Sequence, residues 1–113
     1  MDLQARINEI TDEMIAIRRD LHRHPELGTH EQETQKRICA HLDAWGIEHK
    51  PCADTGVLAI IRGKKPGNVV GIRGDIDALP LQEDKGRDYC SLNDGVMHAC
   101  GHDVHTTILL GLG

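Results

Sequence analysis

The sequence contains no phenylalanine, one tryptophan and one tyrosine. An interior with so few large rings has to be built from Ile, Leu, Val, Met and Ala, meshing through aliphatic side chains. No stretch approaches the roughly 20 apolar residues that a helix needs to cross a bilayer. The start, Met1-Asp2-Leu3-Gln4-Ala5-Arg6, lacks the basic-then-apolar order of a secretory leader. Positive charge is in deficit: 13 Lys and Arg stand against 18 Asp and Glu, a formal charge of −5. The adjacent basic pairs, Arg18-Arg19, Lys36-Arg37 and Lys64-Lys65, read as solvated faces. Nucleic acid and anionic membrane both call for clustered cations, so neither is an expected partner. Cys39, Cys52, Cys90 and Cys100 form no Cys-x-x-Cys pair. Without a leader they read as reduced thiols or metal ligands in a cytoplasmic protein.

What is present fits one domain, or part of one: 113 residues with a hydrophobic content of 39%. Leu3, Ile7, Ile10, Met14, Ile17 and Leu21 recur at steps of three and four, which lays one apolar stripe along a helix. Asp2 caps its start and Pro25 forbids its continuation. Thr29 and Gln32 fit a capping box for a second helix, with Ile38, Leu42 and Trp45 inward and Gly46 as a left-handed terminator. The pattern then becomes strand-like. Val57 to Ile61 form a continuous apolar run, Val69, Val70 and Ile72 a second, and residues 47–53 an edge strand. Such runs predict strands buried on both faces, in a sheet flanked by helices. Residues 80–97 read as a loop. A helix is expected from His102, burying Val104, Ile108, Leu109 and Leu112. The chain stops inside that apolar element, at Gly111-Leu112-Gly113, as a truncated domain does.

Two segments carry chemistry. In His98-Ala99-Cys100-Gly101-His102-Asp103-Val104-His105, four of eight positions are Cys or His, the preferred ligands of zinc and similar divalent ions. His102 and His105 are three apart and share a helix face. Asp103 is placed to accept the second N–H of an imidazole. The other segment, Arg73-Gly74-Asp75-Ile76-Asp77-Ala78-Leu79-Pro80, follows an apolar run and sets two carboxylates at period two, where open α/β sheets place their ligands. An Asp-rich turn is an equal reading of that segment on spacing alone. His22-Arg23-His24-Pro25-Glu26-Leu27-Gly28 reads as a helix terminator and turn, with no chemistry of its own.

With Arg18-Arg19-Asp20-Leu21 ahead of that turn, with Thr55-Gly56-Val57, and with Met97 and Thr106 flanking the Cys-Gly-His segment, the chain resembles the aminoacylase and carboxypeptidase superfamily of co-catalytic metallopeptidases. It is most similar to the amidohydrolase branch, which includes hippurate hydrolases, N-acetyl-diaminopimelate deacetylases and auxin-conjugate hydrolases. The resemblance implies an α/β fold, of which residues 1–113 are the N-terminal portion of a three-layer catalytic domain. A mixed sheet lies between helices there, and the lid domain that mediates dimerisation is absent. It implies hydrolysis of the amide bond of N-acyl amino acids or peptides by a cytoplasmic homodimer. Two divalent metals serve each active site, the thiolate favouring Zn over Mn, Co or Ni. Cys100 and His102 inherit the role of metal ligands. Asp75 or Asp77 inherits that of the catalytic carboxylate, and Asp103, His105 and His98 stand nearby. The resemblance puts a Glu-Glu pair and two further His ligands downstream, and no Glu follows Cys100, so these residues are expected to be inactive alone. The rival readings are a stand-alone metal-binding or interaction module, which would cap its last helix and cover its apolar face, and a structural domain that folds without metal.

Overall fold

The computed structural model describes all residues from 1 to 113. Helix α1 spans Leu3–Arg23. Asp2 caps it as expected, its carboxylate accepting from the backbone N–H groups of Gln4 and Ala5 at 3.0 and 3.3 Å. The helix ends at His24, just before the buried Pro25. Helix α2 spans Gln32–Ala44. It is not started by the Thr29–Gln32 capping box. Glu26 reaches across the turn instead, accepting from the N–H groups of Glu33 and Thr34 and from the Thr34 hydroxyl. Thr29 is held in the left-handed region at φ 71°, its N–H donating to Glu31, so its side chain is not directed at the helix start. Gly46 does terminate α2, with φ 68°, a conformation that disfavours any Cβ.

Strands β1 (Glu48–Cys52) and β2 (Gly56–Ile60) form an antiparallel hairpin, with Glu48 opposite Ile60 and Cys52 opposite Gly56. The tight connection places Ala53 and Asp54 at positive φ. Helix α3 spans His102–Leu112. The core is aliphatic, as the scarcity of rings requires. Ile17 and Leu21 of α1 meet Ile38 and Leu42 of α2 and Leu110 of α3, with Met14, Trp45, Ile47, Val57 and Ile76 packed against them.

The α/β class holds, but three expectations are corrected. Val69, Val70 and Ile72 form no strand and are 98%, 79% and 66% exposed. The only sheet is the β1–β2 hairpin, so this segment has no partner ladder for its backbone, and the expected mixed, doubly covered sheet is not built by these residues. Only the lower half of the α1 stripe is buried, Leu3 and Ile7 remaining exposed. In α3 the inward face is Asp103, Thr106, Thr107 and Leu110, while Val104, Ile108 and Leu112 are exposed. A polar network at the base of α1 claims the α3 residues that hydropathy alone would have turned outward.

Candidate metal centre

The segment from Ile76 to Leu79 is stitched into the fold by backbone bonds. The Ala78 N–H donates to the Glu26 carbonyl at 2.8 Å. Leu27 and Ala78 form a parallel bridge, and Leu79 pairs with Met97. The turn after α1 and the residues leading into His98 are thus fastened on either side of the aspartate segment. Gly28 lies beside it, a Cβ there falling at ordinary contact distance, 3.5 Å, from Asp77 Oδ2.

Asp77 and His102 meet across this frame. His102 Nδ1 lies 2.8 Å from Asp77 Oδ1 and 3.1 Å from the Asp77 carbonyl. Both oxygens only accept, so Nδ1 carries the hydrogen and Nε2 is the free electron-pair donor. Asp75 approaches the same ring from its other edge, with Oδ2 3.9 Å from Nε2, while its Oδ1 pairs with the exposed Arg73. The two carboxylates therefore converge on one imidazole, although residues 71–77 are not a strand. His105 lies on the same face of α3, its ring centroid 5.9 Å from that of His102. Cys100 is exposed as a free thiol. Gly101, between Cys100 and His102, has φ 91°, a left-handed conformation that glycine adopts without strain.

Asp103 was expected to orient a ligand imidazole. It turns inward instead, 1% exposed, and accepts from His22 Nδ1 at 2.8 Å and Arg18 Nε at 2.9 Å. One residue along a helix rotates the side chain by about 100°, so His102 and Asp103 cannot face the same way. The carboxylate in contact with His102 is that of Asp77. His98 is 5% exposed, and neither ring nitrogen has a hydrogen-bond partner. Burial pushes its pKa down, against the pull of the Asp103 charge, which favours a neutral ring.

Sequence reasoning missed the network behind the site. His22 bridges Asp103 and Glu83, and Glu83 in turn accepts from the Ser91 N–H at 2.7 Å. His22 lies in the turn motif to which no chemistry was assigned. No signal in the sequence could have found it, because the inward turn of Asp103 that calls for a cation opposite it appears only in the fold.

The chemistry of the donor set suits a divalent ion: a free thiol, an imidazole with its distal nitrogen exposed, and a carboxylate fixing that ring from behind. No three His, Cys, Asp or Glu side chains converge into a complete ligand cage.

An α/β unit with a carboxylate-braced Cys-Gly-His segment is a metallopeptidase-like arrangement, and comparison with known proteins agrees. Residues 71–113 match the peptidase family M20/M25/M40. The chain is 44% identical over 111 residues to an N-acyl-L-amino acid amidohydrolase of Geobacillus stearothermophilus, covering 97% of this chain and 30% of that protein. The solved structure of the Bacillus subtilis YXEP protein, a dinuclear metal-binding peptidase of family M20, superposes with a TM-score of 0.86 at 46% identity, over 91% of this chain and 30% of that one. A candidate aminohydrolase from methicillin-resistant Staphylococcus aureus gives a TM-score of 0.90 at 43% identity, over 99% and 31%. The chain is similar to these proteins and spans about 30% of their length.

Proposed function

We propose that these residues are part of a metal-dependent amidohydrolase that cleaves the amide bond of N-acyl amino acids, acting in the cytoplasm as a homodimer with two divalent ions per active site. The observation that carries the reading is the contact of His102 Nδ1 with Asp77 Oδ1, 2.8 Å long, which leaves Nε2 free as a ligand, two residues along the chain from the exposed thiol of Cys100. Kinship with an N-acyl-L-amino acid amidohydrolase and with a dinuclear metal-binding peptidase supports the substrate class and the metal count. Zinc is the favoured ion, since it accepts both thiolate and imidazole.

When bound, divalent ions supply Lewis acidity, which acidifies water and stabilises an oxyanion. The chain's own residues have simpler tasks. Cys100, as a thiolate, and His102, through Nε2, hold an ion. Asp77 fixes the orientation and tautomer of the His102 ring, and Asp75 adds negative charge on the open side. His98, buried with both nitrogens unpaired, offers a neutral imidazole to a polar group entering from outside. No glutamate stands in the site to take a proton from water, so these 113 residues alone are expected to show negligible turnover of N-acyl amino acids.

The test is metal content by elemental analysis after dialysis against zinc, for the chain and its Cys100→Ala variant. Zinc retained by the chain and lost by the variant supports the assignment. Equal zinc in both, or none in either, counts against it.

A further inference from the structure

His22 is a deeply enclosed ionisable group that the proposed chemistry leaves unused. Its ring is 2% exposed and lies between two carboxylates that are themselves almost fully buried, Asp103 at 1% and Glu83 at 7%. Nδ1 is 2.8 Å from Asp103 Oδ2 and Nε2 is 2.6 Å from Glu83 Oε1. Carboxylates only accept, so both ring nitrogens must donate, and only the imidazolium has two N–H groups. The Tyr89 ring covers it edge-on at 5.7 Å, and the Arg18 and Arg19 guanidiniums lie over that tyrosine at 5.4 and 4.8 Å.

Each end of this bridge is tied to a different element. Asp103 is the second residue of α3 and directly follows His102. Its other oxygen accepts from the Val104 N–H at 3.0 Å, and Arg18 of α1 donates to Oδ2. Glu83 belongs to the 80–97 loop and accepts from the Ser91 N–H. That loop runs into Met97, which pairs with Leu79 two residues after Asp77. The two partners of the candidate centre, Asp77 and His102, are thus each connected through short chain segments to opposite edges of the His22 ring.

We infer that His22 is a positioning residue for the candidate metal centre: a doubly donating imidazolium that joins Asp103 to Glu83 and so holds the Cys100–His102 segment in register with Asp77. The inference rests on the assignment of Cys100 and His102 as metal ligands. Arg18 and His22 together balance the two buried carboxylates, so the clamp carries no net charge into the interior. His22 itself touches no ligand. It acts on the centre only by fixing where α3 begins.

The experiment titrates the chain with Co²⁺ and follows the thiolate-to-cobalt charge-transfer band of Cys100, for the wild type, His22→Gln and Ile38→Ala. Gln has one donating end and can satisfy one carboxylate but not both. Ile38→Ala opens the core at a distance from the clamp and controls for lost stability, which thermal melts measure in each variant. The expected result is a loss of cobalt affinity of about tenfold or more in His22→Gln, the size typical of groups that orient ligands, while Ile38→Ala keeps wild-type affinity. Equal affinity in His22→Gln and wild type, or equal losses in the two variants, overturns the positioning role. A wild type without the band overturns the ligand assignment and the inference with it. Should His22→Gln not fold, Glu83→Leu, which has no acceptor for His22 Nε2, removes one arm alone and reads the same way. Independently, nitrogen-15 NMR of the His22 ring at neutral pH should show two protonated nitrogens, and one bare nitrogen overturns the clamp.

Discussion

Glu83 and Asp103 face one imidazole from opposite edges, and their ionisation is linked to the stability of the fold. Burial pushes the Glu83 carboxyl up. The hydrogen bonds from His22 and the Ser91 N–H, with the charges of His22 and Arg87, outweigh it and hold the group below its ordinary value of 4.5. Asp103 is lowered in the same way, burial being overcome by the His22 hydrogen bond and the Arg18 charge. A carboxylate whose pKa is lower in the folded state contributes stability that is fully present above its unfolded pKa and is lost as pH falls through the folded one. The wild type should therefore melt higher than Glu83→Gln at pH 6 to 7, and the gap should close as pH falls below 4.5. A gap that persists at low pH would show that the hydrogen-bonded shape, rather than the charge, carries the stabilisation. At this scale the sequence exposed Cys100 and His102 as candidate ligands directly, since thiol and imidazole announce their chemistry. It did not expose His22, because an isolated histidine after a helix says nothing of two acids 61 and 81 residues away in the chain.

Helices α1 and α2 illustrate how an element can be foreseen while its mechanism is not. Asp2 and Gly46 act within a few residues of themselves, and both do what their chemistry implies. The start of α2 depends on Glu26, six residues ahead of Gln32, because the turn through Pro25 and Gly28 folds it back onto the first N–H groups of the helix. Glu26→Ala should cost about 1–2 kcal/mol, the usual range for losing an N-terminal cap, in urea unfolding with an unchanged m-value. Thr29→Ala, by contrast, should cost less than Glu26→Ala, because its hydroxyl does not cap the helix. The reverse ranking would restore the capping box. Helix α3 was foreseen in extent but not in rotation. Its polar residues turn inward to meet Arg18 and His22, an arrangement that hydropathy, which counts each residue alone, cannot represent.

On the scale of the whole molecule, one apolar concavity of about 570 Å³ opens between β2, the 70–77 segment and the end of α3, lined in part by Val57, Ala59, Ile61, Val70, Ile72 and Leu112. Apolar surface of this kind favours association with other apolar groups. The chain should enhance the fluorescence of an apolar dye and self-associate as its concentration rises, and Ile72→Asp should reduce both effects. Dye binding and sedimentation that are unchanged in this variant would show that the concavity is not the adhesive surface. The sequence by itself determined the helix extents, the hairpin strands, the aliphatic core and the candidate ligand types, since each depends on periodicity or on neighbours a few residues apart. Only the tertiary structure decided which way α3 faces, that residues 69–72 stay out of any sheet, that Asp77 rather than Asp103 contacts His102, and that His22 bridges Asp103 and Glu83. Those outcomes depend on which distant groups meet in space, and a buried charge accepts only an orientation that brings its partner within hydrogen-bond reach.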